Sequence, residues 1–309
     1  MTRRPHLERL IAQAGRFPPL PTAIVYPCDR DALLASIEAA KKRLIAPMFV
    51  GPRQKILAAA QAAKMDITDF DLLDVPGEPS AAAQAAVALC REGRASALMK
   101  GSLHTDELMG AAVSKHAGLR AKRRISHVFV IDVPGHPRPL LIADAVINIE
   151  PNLAAKRDIV QNAVDFSRAI GIATPRVAIL SAVETVNPAI AGTVDAPALC
   201  EMARTGEISG ATVDGPFAMD NAISAEAARI KGIHSEVAGR PDILLVPGLE
   251  AGNILYKALV YLAGSECAGL VLGARVPIIL TSRADSIYSR VASCALAGLY
   301  AQQLKAQSA

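Results

Sequence analysis

The sequence predicts an α/β protein built on mostly parallel β-sheets with helices on both faces. Short β-branched runs alternate with Ala-rich helical runs along almost the whole chain. The predicted strands are continuous apolar runs, as expected where both faces of a parallel sheet are covered. Aromatic residues make up only 4% of the chain, so its core is built from Ala, Leu, Ile and Val.

The first third of the chain repeats a strand followed by a helix. Strands are predicted at TAIVY (22–26), APMFV (46–50), DFDLLDV (69–75) and SALMKG (96–101). Helices are predicted at Asp31–Arg43, Gln54–Lys64 and in the Ala-rich run at 80–91. This order of elements is typical of a parallel sheet.

Two adjacent strands interrupt the pattern in the middle of the chain. They are predicted at HVFVIDVPG (127–135) and PLLIADAVINI (139–149), on either side of a turn rich in Pro and Gly. Such a turn between two apolar runs favours a hairpin. A change of pattern of this kind also indicates a domain border, which we place near residue 144.

Strands and helices alternate again in the second half. A helix is predicted from Pro151 to about Ile170, and an amphipathic, packed helix from Ser286 to about Gln303. Strands are predicted between them at VAILSAV (177–183), GATVDGP (210–216), DILLVPG (242–248), AGLVLG (268–273) and PIILTS (277–282).

Composition and charge exclude several classes of ligand and partner. The net charge of +4, from 33 basic and 29 acidic residues, is too small to indicate binding to nucleic acid or to a membrane surface. The five cysteines are odd in number and far apart, and none has metal-ligand spacing. No apolar run is long enough to span a bilayer. We therefore expect reduced thiols, no bound metal, a cytoplasmic location and small-molecule substrates.

Polar residues gather where the predicted strands end, which is where ligands bind in open parallel sheets. Hydroxyls, an arginine and helix N-termini together make an anion site, although each segment taken singly is more often a helix cap. The candidate residues are Lys100, Gly101, Ser102, His104 and Thr105; Glu184 and Asn187; Asp214, Gly215, Pro216 and Asp220; Glu250 and Asn253; and Ser282, Arg283 and Asp285.

The most informative of these segments is Ser282-Arg283-Ala284-Asp285. An arginine that ends a nearly uncharged strand is well placed to bind phosphate. Asp285 is then either a general base or a partner that holds the guanidinium. The sequence lacks the glycine patterns of a nucleoside triphosphate P-loop and of a dinucleotide fingerprint, and it lacks an α/β-hydrolase elbow.

Six motifs together resemble the phosphate acetyltransferase/phosphate butyryltransferase family. They are MKGSLHT, ADAVINIEP, VAILSAVETVNP, VDGPFAMDNAIS, DILLVPGLEAGNILYKAL and VPIILTSRADS. The resemblance covers about residues 20–300. SLHTDELM and SAVETVNP further resemble a butyryl-like branch that is also found fused to enoyl-CoA hydratase-like domains, and we expect the free-standing form here.

The resemblance implies a fold similar to isocitrate and isopropylmalate dehydrogenases, with two α/β domains and a cleft between them. The first domain is then residues 1–143 completed by 274–309, and the second is 144–273. The implied reaction moves a short acyl group, acetyl or butyryl, between CoA and inorganic phosphate. It needs no tightly bound cofactor, because CoA is a substrate, and the family suggests a homodimer or a multiple of it.

The resemblance also implies roles for individual residues. Ser282, Arg283 and Asp285 are catalytic, with Asp285 taking the CoA thiol proton and Arg283 stabilising the oxyanion. The remaining strand-end residues, with Asn148 of the second motif, bind phosphate or CoA. The acetyl branch has an acid, a cysteine and an arginine where this chain has Ser289, Ala145 and Gly110-Ala111. Binding of the CoA phosphates is therefore expected to use other cations, such as Arg120, Lys122 or Arg124.

Two other functions stay open at this point. A metal-dependent NAD(P) decarboxylating dehydrogenase on the same fold would use Asp214, Asp220 and Glu250 as metal ligands. A non-catalytic protein that binds CoA would keep the same motifs without turnover.

Overall fold

The computed structural model of the protein describes residues 4–282 and 284–308, which form two compact units. The terminal unit comprises residues 7–123, 268–282 and 284–308, and the central unit comprises residues 4–6 and 124–267. The chain passes from the terminal unit into the central unit at residue 124, before the border that we predicted near residue 144. The hairpin before it belongs to the central unit because its second strand pairs there. The predicted domain limits themselves stay a prediction.

The helices and strands follow the predicted alternation. The first nine are α1 (Pro5–Ala14), β1 (Leu20–Val25), α2 (Arg30–Lys41), β2 (Ile45–Gly51), α3 (Arg53–Ala62), β3 (Asp71–Asp74), α4 (Pro79–Arg91), β4 (Ala97–Lys100) and α5 (Thr105–Ala112). The next six are β5 (Ser126–Asp132), β6 (Leu140–Ala143), α6 (Leu153–Ala169), β7 (Arg176–Leu180), α7 (Ala191–Thr205) and β8 (Thr212–Phe217). The rest are α8 (Met219–Ile223), α9 (Ala225–Ile230), β9 (Ile243–Leu245), α10 (Leu249–Tyr261), β10 (Glu266–Leu272), β11 (Ile278–Ile279) and α11 (Ile287–Ser308).

The sheet of the terminal unit has the strand order β3-β2-β1-β4-β11-β10. All neighbouring pairs are parallel except β10 with β11. The side chains of Ile24, Phe49, Leu98 and Met99 are fully buried, which explains why the strands read as apolar runs. The predicted α/β class with a mostly parallel sheet is confirmed.

Helix α1 was not predicted from the sequence. It buries Leu7, Leu10 and Ala14, whose spacing of three and four residues places them on one face. Charged residues lie between the first two of these apolar residues, so the short apolar stripe is not apparent in the sequence. Helix α2 shows the expected start signal, because the Asp29 carboxylate accepts a 2.7 Å hydrogen bond from the Ala32 N–H.

The sheet of the central unit has the strand order β5-β6-β9-β7-β8. Strands β5 and β6 form the predicted antiparallel hairpin, and the other pairs are parallel. Helix α10 is anchored to this sheet by Tyr256, whose ring stacks on Phe129 with centroids 4.0 Å apart.

The strand predicted at 139–149 is wrong beyond residue 143. Asp144 ends the strand because its buried carboxylate accepts hydrogen bonds from the N–H groups of Val146 (2.9 Å) and Ile147 (3.0 Å). These bonds turn the chain into a loop instead of leaving the N–H groups for a neighbouring strand.

Within the residues that the structure describes, no helix is both long and apolar enough to pass through a bilayer.

Candidate active site

The strand order of the terminal unit reverses between β1 and β4, and we call the region at their carboxyl ends the switch point. The chain leaves β1 toward β2 and β3 on one side of the sheet, and β4 lies on the other side of β1. Such a reversal of strand order is where open α/β sheets bind ligands. The loops 26–29 and 101–104 follow the two strands at this switch point.

Backbone hydrogen bonds lock these two loops together. The Gly101 N–H donates to the Val25 carbonyl, and the Ser102 N–H donates to the Tyr26 carbonyl, each at 2.9 Å. The Ser102 hydroxyl in turn accepts a 2.9 Å bond from the Cys28 N–H. Residue 101 must be glycine, since a Cβ there would lie 2.3 Å from the Val25 oxygen.

Lys100 is the last residue of β4, and Gly101 and Ser102 begin the loop that follows it. The Lys100 side chain is only 5% exposed, and its Nζ lies 3.4 Å from the Gly101 carbonyl oxygen. His104 and Thr105 follow at the exposed start of α5, where the His104 N–H donates a 2.7 Å bond to the Glu107 carboxylate. A buried ammonium below a helix N-terminus gives this segment positive potential.

Strand β11 lies beside β4 and runs parallel to it, so their carboxyl ends share one edge of the sheet. The Ser282–Asp285 turn leaves β11 at that edge, as the sequence predicted. The Ser282 N–H donates a 2.7 Å bond to the Asp285 carboxylate, and the Asp285 N–H donates a 3.2 Å bond to the Ser282 carbonyl. The predicted catalytic residue Arg283 lies outside the described residues.

Arg290 of α11 supports this turn from below. Its guanidinium is almost fully buried and donates from Nη2 to the Ser282 carbonyl at 3.1 Å and from Nε to the Asp285 carbonyl at 3.4 Å. Just before the turn, the buried Thr281 hydroxyl has no hydrogen-bond partner among the described residues. The sequence analysis missed both residues, because their roles depend on how α11 packs under the turn.

Three further residues near the end of β1 were missed. Tyr26 has a φ of +53°, an uncommon conformation for a bulky side chain that functional loops often hold. Its hydroxyl accepts a 2.9 Å bond from Lys55, which raises the pKa of that lysine. Burial raises the pKa of the nearby Cys28 thiol to about 11. The strand-end criterion would have found Tyr26 and Cys28 had it been applied to β1.

The central unit carries its own set of predicted residues at strand ends. Glu184, after β7, accepts 3.2 Å bonds from Lys231 and from the amide of Asn221. Lys231 also pairs with Asp220 at 3.1 Å, which lowers the pKa of that carboxyl. Asn221 is fully buried, and its Oδ1 has no hydrogen-bond partner among the described residues.

Asp214, Gly215 and Pro216 lie within β8, where hydrogen bonds and a close backbone contact hold them in place. The Asp214 carboxylate accepts a 2.8 Å bond from the Gly215 N–H and a bond from the Ser235 hydroxyl. Gly215 has a φ of +152°, and a Cβ there would lie 2.8 Å from the Ile179 carbonyl oxygen. The bend at Gly215-Pro216 therefore requires glycine at its first position.

Three predicted ligand residues have their polar groups in contact with protein. The Asn148 side chain donates to Asp144 at 2.7 Å and to the Ile125 carbonyl at 3.0 Å. The Asn187 side-chain oxygen Oδ1 accepts a 3.0 Å bond from the Ala189 N–H, and the Asn253 side-chain amide lies 3.5 Å from the Ala145 carbonyl oxygen. Glu250 is exposed in the first turn of α10.

Asp144 holds the loop that contains Asn148. Its carboxyl is 2% exposed, and burial raises its pKa although several N–H groups donate to it. The group is enclosed in the protein, so it shapes the strand end and has no open face for a substrate.

An apolar cavity of about 360 Å³ lies between the carboxyl ends of β7 and β9. Its lining consists of Leu180, Ser181, Ala182, Met219, Val246, Pro247, Ala251 and Leu255. No pattern in the sequence marked it, because its walls come from three segments that are distant along the chain. Among residues 4–282 and 284–308, no group of three or more His, Cys, Asp or Glu side chains is placed to hold a metal ion.

Comparison with known proteins supports the family resemblance that the six motifs indicate. The model of the family described as "Phosphate acetyl/butaryl transferase" matches residues 78–298. A phosphate acetyltransferase of Rhizobium meliloti is 57% identical over 97% of this chain and 94% of its own. A phosphate butyryltransferase of Clostridium beijerinckii is 40% identical over 97% of this chain and 99% of its own.

Solved structures resemble the chain in the same way. A branched-chain phosphotransacylase from Enterococcus faecalis V583 superposes with a TM-score of 0.79 at 29% identity, over 91% of this chain and 99% of that one. A 4-hydroxythreonine-4-phosphate dehydrogenase from Klebsiella pneumoniae gives a TM-score of 0.55 at 15% identity, over 92% of this chain and all of that one. The second likeness concerns the fold alone.

Proposed function

The chain belongs to the phosphate acetyl/butyryltransferase family, and from that membership we propose how its own residues perform the transfer. The reaction converts acyl-CoA and inorganic phosphate into acyl phosphate and CoA, in either direction. CoA enters as a substrate.

The transfer balances without a covalent enzyme intermediate. In the direction of acyl phosphate, a phosphate oxygen attacks the thioester carbonyl carbon, a tetrahedral oxyanion forms, and the carbon–sulfur bond breaks. The proton of hydrogen phosphate ends on the CoA sulfur. In the reverse direction the CoA thiol loses its proton, the thiolate attacks the acyl phosphate carbonyl, and phosphate leaves. Holding both substrates in one ternary complex supplies much of the rate.

We place phosphate at the edge shared by β4 and β11. The observation that carries this proposal is that the Lys100–Thr105 segment and the Ser282–Asp285 turn follow adjacent parallel strands. Lys100, the N–H groups of Gly101 and Ser102, and the hydroxyls of Thr105 and Ser282 are donors or cations that suit a dianion. Arg283 completes this set and stabilises the oxyanion of the tetrahedral state.

Asp285 is the proposed base for the CoA thiol. One of its oxygens holds the Ser282 N–H, so the same carboxylate also positions the turn. A carboxylate has about four lone-pair sites, so accepting a backbone hydrogen bond does not prevent it from taking a proton. In the alternative left open by the sequence, Asp285 holds the Arg283 guanidinium, and its loss would lower the affinity for phosphate instead.

The strand-end residues of the central unit are proposed to bind CoA. Glu184, Asp214, Asp220 and Glu250 suit the amide and amino groups of CoA, because carboxylates accept hydrogen bonds from such donors. The phosphates of CoA need cations, and Arg120, Lys122 and Arg124 are the candidates. We further infer an isocitrate/isopropylmalate dehydrogenase-like two-domain fold and a homodimeric enzyme. The likeness to a dehydrogenase structure supports the fold.

The phosphate site is tested by Ser282→Ala and Thr105→Val, with Ser114→Ala further along as the matched control. We expect each of the first two variants to raise the KM for phosphate ~10-fold, the scale of one hydrogen bond to a charged group. The KM for CoA should stay unchanged in both. A raised KM for CoA with an unaltered KM for phosphate would contradict the assignment.

A further inference from the structure

An apolar cavity lies at the carboxyl ends of β7 and β9. None of the described residues proposed above to bind phosphate or transfer a proton lines it. It lies where the chain reverses its strand order, because β7 is followed by β8 on one side while β9 pairs with it on the other. Leu180 and Val246 form its buried floor, and Met219 closes one side. Ala251 and Leu255, one helical turn apart on α10, form the opposite side.

Close packing gives the cavity a fixed shape. Gly252 lets α10 lie directly against the strand ends, since a Cβ there would be 2.7 Å from a Val246 methyl and 2.9 Å from the Ala145 Cβ. One turn further along the same face of the helix, Tyr256 is buried and stacks on Phe129. Ala251 and Leu255 are therefore held in place over the strand ends.

The lining selects the kind of ligand. Ser181 carries the one polar side chain among the eight lining residues, and it lies next to Ala182, which is exposed. The pantetheine arm of CoA contains two amides, and its nucleotide contains phosphates and an amino group. Burying such groups without hydrogen-bond partners is costly. The acyl chain is the one wholly apolar part of the substrates.

The volume also fits a chain longer than acetyl. At ~30 Å³ for each group of the size of a water molecule, a propyl chain fills roughly a quarter of the cavity. The cavity therefore has room for a propyl chain as well as for a single methyl group. The flexible Met219 side chain can adjust to chains of different length.

We propose that this cavity receives the acyl chain, so that the enzyme accepts butyryl as well as acetyl groups and Ala251 and Ala182 limit the chain length. This inference rests on the proposed function, because it assigns one part of the acyl-CoA substrate to this cavity.

The test compares phosphate-dependent CoA release from acetyl-, propionyl- and butyryl-CoA in three variants. Ala251→Leu and Ala182→Leu add bulk to two separate walls, both at exposed positions that tolerate it. Ala263→Leu makes the same chemical change just beyond α10 and serves as the control. We expect the first two to lower the ratio of kcat/KM for butyryl-CoA to that for acetyl-CoA by ~10-fold or more, the scale of one methylene in an apolar pocket. The control should leave the ratio unchanged.

Three results would overturn the proposal while the transferase activity stands. They are an equal loss for all three acyl-CoAs, an unaltered ratio in both wall variants, and wild-type protein that uses acetyl-CoA but not butyryl-CoA. If the wild-type protein released no CoA from any of them, the proposed function would fail as well, and the acetyl-CoA measurement separates this outcome from the others.

Discussion

The carboxylate of Asp285 accepts a 2.7 Å hydrogen bond from the backbone N–H of Ser282, three residues before it. The bond closes the turn after β11. It also means that removing the carboxylate changes two things at once, the shape of the turn and the capacity to take a proton.

Asp285→Asn separates these two effects from each other. The asparagine side-chain oxygen still accepts the Ser282 N–H but cannot take a proton, whereas Asp285→Ala loses both capacities. If Asp285 is the base, both variants should lose a similar ~10²-fold or more in the CoA-consuming direction. The optimum pH of Asp285→Asn should also rise, because the reaction then depends on CoA that has already ionised. Near-normal turnover in Asp285→Asn, together with loss in Asp285→Ala, would leave Asp285 a positioning role only.

Arg283→Ala should lower kcat by at least ~10²-fold, the scale for one preorganised oxyanion donor. Arg275→Ala removes an exposed guanidinium before the same short strand and is the matched control. Thermal unfolding of both variants should match that of the wild type. Unchanged kinetics in a folded Arg283→Ala protein would remove this residue from the site.

Gly101→Ala should both destabilise the protein and raise the KM for phosphate. The new Cβ would lie 2.3 Å from the Val25 oxygen and 2.7 Å from the Tyr26 oxygen, so the two loops must separate. A cost of about 1–3 kcal/mol in unfolding free energy is typical of such overpacking. Gly110→Ala is the control, because a Cβ there meets nothing within 4 Å and alanine favours the helix. Equal melting temperatures for the two variants would contradict the close approach.

The Cys28 thiol should react slowly with alkylating agents in the folded protein. Burial raises its pKa from 9.0 to about 11, which lowers the thiolate fraction at pH 8 by ~10²-fold. Below pH 9 the thiol is protonated in both the folded and the unfolded protein, and its contribution to the free energy of unfolding is fully present. This contribution is lost as the pH rises from about 9 toward 11, because the unfolded protein loses the proton first. Mass spectrometry of alkylated peptides, native against denatured, measures the protection. Rapid modification of native Cys28 at pH 8 would show an open, reactive thiol.

Much of the fold could be predicted because both faces of the parallel strands are buried. The runs at β1, β2 and β4 are therefore apolar throughout and are easily found. β6 was predicted too long, since the Asp144 carboxylate captures the N–H groups that a strand would need. No apolar pattern records such a competing bond.

The candidate site was predictable where it follows from strand order alone. Lys100 and Ser282 end neighbouring parallel strands, so their placement at one edge follows from the alternation of strands and helices. Tyr26 and Arg290 were missed because their roles arise from contacts across the fold: the backbone bonds between two loops, and a helix packed below a turn. The cavity was missed for the same reason.

The most direct test of this account is the release of CoA from acetyl-CoA and butyryl-CoA, followed with a thiol reagent, with and without inorganic phosphate. Acyl phosphate is trapped in parallel with hydroxylamine. We predict release that requires phosphate and yields one acyl phosphate for each CoA. Release at the same rate without phosphate, or no release with either substrate, would contradict transfer of the acyl group to phosphate by this protein.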